Sequence, residues 1–223
     1  MKKIIITGVK GFIGTVLRKG LKRYLITALD LPEFDVRDYQ KLLQIFPSHD
    51  IVIHLAWEDK IENEQTGKIN PDNCLMTFNV YQAAFEAKVK RVIMASSVHA
   101  DEFLDWKGPG LLKPNKIPIP TNPYGANKVF MEALGRYYAK HKGLEVICIR
   151  FGWVNPQNLP NSLDYLNLTW LSHRDCLNLI KKCIKAKEVP QNFCIIYGVS
   201  NNFKRIHDFK NPFSWLPKDG WKL

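Results

Sequence analysis

The chain has 223 residues, of which 46% are hydrophobic and 24% are charged, and its formal net charge at pH 7 is +11. This composition excludes a disordered or fibrous protein, and the length suffices for one substantial core, so we expect a single domain over residues 1–223. The basic residues are scattered instead of grouped with aromatic residues, and no run of about 18 apolar residues occurs, so we expect neither a nucleic-acid partner nor a membrane span.

Short β-branched segments alternate with longer segments of helical period along most of the chain. The predicted strands are Ile4 to Thr7, Ile26 to Leu29, Ile51 to Leu55, Arg91 to Ala95, Leu144 to Ile149 and Phe193 to Tyr197. The predicted helices are Phe12 to Leu21, Tyr39 to Phe46, Asn73 to Ala87, Tyr124 to His141 and Ser172 to Lys187. This alternation is typical of βαβ units, so we predict an α/β fold with a doubly wound parallel sheet, the Rossmann fold.

Three stretches interrupt the alternation. Two long proline-bearing stretches, at about residues 98–122 and 152–170, lack a predicted element of their own, and we expect them to be substrate loops. The tail at about 198–223 is irregular but holds five aromatic residues, which are Phe203, Phe209, Phe213, Trp215 and Trp221. Because this tail is too aromatic to be disordered, we expect it to pack on the body as a small C-terminal substrate-binding extension.

The cysteines bear on the cellular compartment. The chain has five of them, Cys74, Cys148, Cys176, Cys183 and Cys194, and they form no C-x-x-C pair. An odd number without close pairs favours reduced thiols over a disulfide framework, and the N-terminus lacks a small-residue cleavage site. We therefore expect a soluble cytoplasmic protein, and we expect no metal site.

A glycine motif follows the first predicted strand and opens the first predicted helix. Its sequence from Thr7 to Gly14 is Thr-Gly-Val-Lys-Gly-Phe-Ile-Gly. Glycines in this position permit a tight turn, close approach of a pyrophosphate to the backbone, and close packing of the helix on the strand. Asp30 ends the second strand, 22 residues beyond Gly8, where a carboxylate binds ribose hydroxyls and repels a 2′-phosphate. The motif therefore predicts NAD as the cofactor, in preference to NADP.

A second motif carries the groups for proton transfer. Tyr124 and Lys128 are four residues apart at the start of a predicted helix, so both side chains lie on one face and can meet the same ligand. A lysine ammonium close to the phenol favours the phenolate and so makes tyrosine a better base. Ser97 lies just after a predicted strand end, 27 residues before Tyr124. We predict Ser97, Tyr124 and Lys128 as the catalytic residues.

With these residues in hand, the chain resembles the extended short-chain dehydrogenase/reductases, the NAD-dependent epimerase/dehydratase family, from Lys2 to about Tyr197. The matching motifs are the glycine loop and Asn122-Pro123-Tyr124-Gly125-x-x-Lys128. The resemblance implies that Ser97 hydrogen-bonds the reacting oxygen. It also implies cofactor contacts for a larger set, which comprises Gly8, Gly11, Phe12, Ile13, Gly14, Asp30, Asp35, Val36, Leu55, Ala56, Asn79, Tyr124 and Lys128. Asn79 is expected to support the active site from its helix.

Within that family, three segments resemble the short uronate dehydrogenases: Ser96 to His99, Trp170 to Asp175, and Tyr197 to Asn202. The resemblance implies a substrate contact for His99. It places Tyr165 where those enzymes carry an arginine for the substrate carboxylate, and a phenol offers one hydrogen bond where a guanidinium offers a charged pair. Arg174 is the candidate replacement, although its place in the first turn of a predicted helix favours an ordinary surface residue. We therefore expect a small unphosphorylated sugar or sugar acid, with a neutral aldose processed at least as readily as its uronic acid.

Three functions remain open on the sequence. The first is NAD-dependent oxidation of a sugar or sugar-acid hydroxyl by Tyr-assisted hydride transfer. The second is a nucleotide-sugar epimerase or dehydratase, which the short stretch after Gly152 disfavours because little chain remains to grip a nucleotide diphosphate. The third is a non-catalytic protein that senses the nicotinamide dinucleotide, which the retained Ser97, Tyr124 and Lys128 disfavour. A homodimer is expected as the assembly.

Overall fold

The computed structural model describes residues 1–160 and 168–222. Within these residues, six parallel strands form one sheet in the order β2-β1-β3-β4-β5-β6. The strands are β1 (Lys3–Thr7), β2 (Leu25–Leu29), β3 (Ile51–His54), β4 (Arg91–Ser97), β5 (Glu145–Phe151) and β6 (Phe193–Gly198). The predicted α/β fold with a doubly wound parallel sheet is confirmed.

Five helices flank this sheet in the described part of the chain. They are α1 (Phe12–Gly20), α2 (Tyr39–Ile45), α3 (Pro71–Glu86), α4 (Pro123–Lys142) and α5 (His173–Lys185). Polar residues cap several of them: Asn70 begins α3, Asn122 begins α4, and Ser172 begins α5, each accepting a backbone N–H of the first turn. Ser172, predicted as the first helical residue, is therefore the N-cap.

The four inner strands β1, β3, β4 and β5 are buried on both faces, and alternate residues contribute to two cores. Ile4 and Ile6 pack in one cluster with residues of α1 and α5, such as Leu17 and Leu179. Ile5 faces the other side, in a cluster with residues of α2, α3 and α4. This two-sided burial explains the near-continuous apolar runs of the strands.

The strand order reverses between β1 and β3, since β1 pairs with β2 on one side and with β3 on the other. In open α/β sheets, ligands bind outside the carboxyl ends of the strands at such a point. Strands β4 and β5 continue two residues past their predicted ends, because Ser96 and Ser97 pair with Arg150 and Phe151. The extension carries Ser97 to the edge of the sheet where the cleft opens.

The aromatic tail packs on the body, as expected from its composition. Phe213 and Trp215 are buried in the same cluster as β1 and α5. The buried Asp175 carboxylate accepts the backbone N–H groups of Lys218 and Asp219 at 2.7 and 2.9 Å. These contacts fix the tail on the N-terminus of α5. In the described residues, no helix combines the length and the apolar character needed to cross a membrane.

Candidate active site

A cleft of about 500 Å³ opens at the carboxyl edge of the sheet. One side is the glycine loop with the start of α1, from Gly8 to Gly14. The other side contains Ser97, His99, Tyr124 and Lys128. The cleft therefore brings the two sequence motifs together, although more than eighty residues separate them along the chain.

The glycine loop fits a bound pyrophosphate. Gly8 has φ +68°, and a Cβ there would lie 2.5 Å from the Ala56 backbone nitrogen. A Cβ on Gly14 would lie 2.5 Å from the Gly8 carbonyl oxygen. Gly11 is the N-cap of α1 and makes no side-chain cap, so the N–H groups of the first turn face the cleft. A helix N-terminus in a loop that excludes side chains is suited to phosphate groups.

A second cavity of about 280 Å³ continues from the first along the strand ends. The two share Gly8, Gly11, Leu55, Trp57 and Asp59. Residues that line only the second include Asp30, Phe34, Asp35, Val36 and Arg37. This continuous groove has room for the adenosine half of a dinucleotide, and it contains Asp35, Val36 and Ala56, which were predicted as cofactor contacts.

Asp30 is held by the backbone around it. Its carboxylate accepts the N–H groups of Lys10 at 2.6 Å and Leu31 at 2.8 Å. These bonds tie the glycine loop to the end of β2 and leave the half-buried carboxylate beside the second cavity. Its position agrees with the predicted ribose contact.

Asn79 does not line either of the two cavities, and its contact with the groove runs through the backbone. Its side-chain amide donates to the Arg37 carbonyl oxygen at 2.9 Å, so it supports the loop beside the second cavity. The register of α3 is the physical reason, since Asn73, six residues earlier on a different face of the helix, contacts the segment that borders the cleft.

Tyr124 is partly buried beside Ser97 at the start of α4. Burial raises the pKa of Tyr124, and a hydrogen bond with the Ser97 side chain acts in the opposite direction. The nearby carboxylates of Glu64, Glu62 and Asp59 raise the pKa of Tyr124 further. The phenol therefore holds its proton until positive charge is brought close to it.

Lys128 is also buried, and its ammonium is 5.4 Å from the centre of the Tyr124 ring. The Nζ atom donates to the Ala95 carbonyl oxygen at 3.0 Å and lies 3.3 Å from the centre of the Trp57 ring. Burial lowers the pKa of Lys128 to about 7, while the carboxylates of Glu62 and Glu132 act in the opposite direction. Trp57, which the sequence interpretation missed, thus covers the Lys128 ammonium.

His99 lines the cleft beside Tyr124. Its Nδ1 is 2.7 Å from the Thr121 hydroxyl, and its ring packs edge-on to Tyr124 at 5.9 Å between ring centres. Burial lowers the pKa of His99, so the ring is neutral near pH 7. Its Nε2 is then available for a hydrogen bond in the cleft.

Of the two remaining predicted substrate residues, Tyr165 lies outside the described residues. Arg174 does not line the cleft. Arg174 is exposed and pairs with Asp219 of the tail, with its Nε 3.0 Å from a carboxylate oxygen. The expectation that Arg174 takes the place of a carboxylate-binding arginine is therefore wrong. Its guanidinium is instead paired on the outer surface with the Asp219 carboxylate, 45 residues further along the chain.

Behind the cleft lies a buried ion-pair cluster that the sequence interpretation also missed. Arg150 donates from Nε and Nη2 to the two carboxylate oxygens of Glu132, each at 2.8 Å, and from Nη1 to Asp101 at 2.8 Å. The Ser96 hydroxyl donates to Glu132 at 2.6 Å. The cluster therefore connects β4, β5 and α4 directly beneath Ser97. The sequence held one indication of this cluster. Arg150 follows an apolar run at the end of a predicted strand, and a buried charge at that position needs a partner.

Comparison with known proteins identifies the family to which the chain belongs. Residues 4–156 match the NAD dependent epimerase/dehydratase family. The L-arabinose 1-dehydrogenase (NAD(P)(+)) of Haloferax volcanii is 29% identical, over 98% of this chain and 97% of that protein. The NAD-dependent glucose-6-phosphate dehydrogenase of the same organism is 30% identical, over 78% of this chain and 68% of that protein. The similarity to the L-arabinose 1-dehydrogenase therefore extends over both cavities and the tail.

A solved structure agrees with this result. A mutant of uronate dehydrogenase from Agrobacterium tumefaciens, complexed with NAD, is 26% identical and superimposes with a TM-score of 0.81. The alignment covers 99% of this chain and 86% of that chain. A protein of the same fold thus binds the dinucleotide for which the groove has the necessary shape.

Proposed function

Because this chain is an NAD-dependent enzyme that belongs to the NAD-dependent epimerase/dehydratase family, we propose that it oxidises a ring hydroxyl of a small sugar or sugar acid. The observation that carries this proposal is that Ser97, Tyr124 and Lys128 line the same cleft as the N-terminus of α1. The names of its relatives support a sugar as the substrate, since they specify arabinose, glucose 6-phosphate and uronate.

In this proposal Tyr124 is the catalytic base. As phenolate it takes the proton of the substrate hydroxyl, and the Ser97 hydroxyl donates to the same oxygen and orients it. Because burial raises the pKa of Tyr124, the phenolate depends on positive charge nearby, and the Lys128 ammonium supplies part of that charge. When bound, NAD accepts the hydrogen and the two electrons that leave the carbon as it becomes a carbonyl.

The cofactor is assigned to residues that the structure brings into one groove. The N–H groups at the start of α1, with Gly8 and Gly11, would hold the pyrophosphate, and Asp30 would accept from the adenosine ribose. Lys128 would donate to the ribose at the nicotinamide end. Asp35, Val36 and Ala56 line the second cavity and would border the adenosine half, whereas Leu55 lines both cavities and would also border the nicotinamide side. Asn79 acts indirectly, by holding the backbone at Arg37.

The loops at about 98–122 and 152–170 are proposed to enclose the sugar, with the tail at about 198–223 supporting them, as parts of one domain. Two observations support this assignment. His99, Phe103, Gly152 and Trp153 line the cleft. Leu112 pairs with His207 of the tail, and the Leu112 N–H donates to the Ile206 carbonyl oxygen at 2.7 Å.

A homodimer is proposed to form through the outer faces of α3 and α4. Four large apolar residues, Leu75, Phe78, Phe130 and Tyr137, are between 42% and 46% exposed on these two packed helices. Such a surface favours burial against a partner over binding of nucleic acid. Light scattering should give twice the chain mass, and Phe130→Glu should return the monomer. A monomeric wild-type protein would contradict the dimer.

We further propose that the enzyme works in the cytoplasm. All five cysteines are free, and three of them are buried: Cys148, Cys176 and Cys183. Free thiols in a core are typical of proteins that fold in a reducing compartment. Cell fractionation tests this assignment, and recovery of the protein from an oxidising compartment would contradict it.

Ligand-induced stabilisation followed by product analysis tests the function. A ligand that binds only the folded state raises the melting temperature, so NAD should raise it more than NADP does at equal concentration. Sugars and uronic acids that raise it further should then be oxidised with net formation of NADH. Interconversion of nucleotide sugars without net NADH would indicate an epimerase, and NAD binding without turnover of any sugar would indicate a sensor.

A further inference from the structure

The segment between β3 and α3 forms one wall of the cleft and is acidic. Trp57, Asp59, Asn63, Glu64 and Gln65 all line the cavity that contains Tyr124. The carboxylates are close enough to influence the catalytic groups, because those of Glu64 and Asp59 raise the pKa of Tyr124 after the larger effect of burial. Any substrate at Tyr124 therefore lies within the field of two side-chain carboxylates.

This acidic wall is fixed by buried contacts. Glu62 lies between Asp59 and Glu64 in the sequence, and its side chain is fully buried. One of its carboxylate oxygens accepts three N–H groups, from the Asn70 backbone at 3.0 Å, the Asn73 amide at 2.8 Å and the Asn127 amide at 3.0 Å. The anchor thus joins the wall to α3 and to the residue beside Lys128.

A second contact holds the far end of the same segment. The Asn122 amide donates to the Glu64 carbonyl oxygen at 3.4 Å, and Asn122 is the N-cap of α4 immediately before the tyrosine motif. The backbone at Glu64 is therefore held next to the start of the catalytic helix, and its exposed carboxylate borders the cleft entrance.

The cleft offers little positive charge to balance these carboxylates. Among the described residues that line it, Lys128 is the one lysine or arginine, and its ammonium already contacts the Ala95 carbonyl and Trp57. The loop sequence from 152 to 168 contains no lysine, arginine or histidine, and its one charged residue is Asp164. No cation from that loop can therefore neutralise an anionic sugar.

We propose that this acidic wall selects the substrate by charge, admitting neutral and amine-bearing sugars and rejecting sugars that carry a carboxylate or a phosphate. The inference rests on the proposed sugar dehydrogenase activity and names its substrate class. A carboxylate at the wall is repelled by two like charges, whereas a protonated amine is attracted to them, and both effects act through partly exposed space at moderate strength.

The test compares four sugars built on one ring: galactose, galactosamine with its amine protonated, galacturonate and galactose 6-phosphate. Dissociation constants are measured with NAD present, and kcat/KM is measured by NADH formation. We expect galactosamine to bind at least as tightly as galactose, and the two anions to bind about tenfold more weakly. Tighter binding of galacturonate than of galactose would overturn charge selection.

Charge reversal on the wall provides the matched control. Glu64→Lys should raise the ratio of galacturonate to galactose in kcat/KM by about tenfold, whereas Glu188→Lys, the same change at an exposed site remote from the cleft, should leave the ratio unchanged. An unchanged ratio in Glu64→Lys would overturn the inference. Binding in the expected order without turnover would support charge selection and overturn the dehydrogenase proposal, and absence of binding by all four sugars would overturn both.

Discussion

Two buried cations lie near the carboxyl edge of the sheet, and their surroundings differ. Arg150 is fully buried on β5 and is bonded to two carboxylates, Glu132 and Asp101, and to the Tyr197 hydroxyl. Lys128 on α4 is only 4% exposed, yet the groups in contact with its ammonium are one carbonyl oxygen and the Trp57 ring, as far as the described residues show. One cation is neutralised within the fold, and the other is left with hydrogen-bonding capacity for a ligand.

The difference separates charges that stabilise the fold from charges that serve the reaction. Breaking a buried ion pair destabilises the folded protein, because the charge that remains is still desolvated. A buried ammonium without a carboxylate partner is costly in the folded protein, which is why burial lowers the pKa of Lys128 to about 7. Such a cost is common at sites that bind or react.

The largest expected effect is on the side of Arg150. Glu132→Gln removes one of its charge partners and should lower the free energy of unfolding by about 3 kcal/mol. Urea unfolding measures this change. Glu86→Gln is the control, since Glu86 is an exposed-surface partner of Gln82 on α3, and it should change stability by less than about 0.5 kcal/mol. Equal effects of the two variants would remove the distinction drawn for Arg150.

Next to Lys128, we expect a substitution of Tyr124 to lower turnover and to leave the protein folded. Tyr124→Phe removes the base and should lower kcat about 100-fold or more, with the dissociation constant of NAD unchanged within about twofold. Tyr137→Phe, a half-exposed phenol on the same helix, is the control and should keep full activity. Unchanged turnover in Tyr124→Phe would exclude it as the base.

Replacing Lys128 should stabilise the protein in a pH-dependent way. Its pKa of about 7 in the folded protein lies below the ordinary lysine value, so between pH 7 and about 10 the unfolded chain binds more protons, and wild-type stability rises with pH. Lys128→Met removes the penalty. Its gain should be of the order of 2 kcal/mol near pH 6 and should shrink towards pH 10.

The control for this variant is Lys140→Met, which changes an exposed lysine in the last turn of the same helix. It should show no such pH-dependent gain in urea unfolding measured from pH 6 to pH 10. A Lys128→Met protein that is less stable than wild type across this whole range would show that the ammonium contributes to folding after all.

The smallest effect concerns Asp30, a half-buried carboxylate that accepts two backbone N–H groups. Asp30→Ala should narrow the preference for NAD over NADP by about fivefold, because the repulsion of a 2′-phosphate is lost. Titration of both cofactors measures the preference. Wild-type protein that binds NADP as tightly as NAD would contradict the role of Asp30.

What the sequence predicted depends on how local each contact is. The glycine loop, Asp30 and the Tyr124–Lys128 pair are set by strand ends and helix register, and the structure places all of them in the groove. Asn79 was expected at the active site from the family resemblance, whereas its amide bonds to the backbone at Arg37. Arg174 was misassigned because its partner, Asp219, comes from the tail.

The groups that the sequence interpretation missed are those joined across long separations. Glu62 and Asn127 are 65 residues apart, and Arg150 and Asp101 are 49 apart. A pattern of periodicity carries no information on such pairs, since only the packed sheet brings them together. Glu132 was accessible to reasoning, because it lies four residues after Lys128 on the same face of α4.

The stoichiometry of cofactor reduction tests the central claim most directly. Wild-type protein is given NAD in excess over a neutral aldose, and NADH and the oxidised sugar are measured together until the reaction stops. The account predicts one NADH for each sugar oxidised, and NADH formation that is slower by about 100-fold or more with Tyr124→Phe under the same conditions. Consumption or rearrangement of the sugar without accumulation of NADH would contradict it.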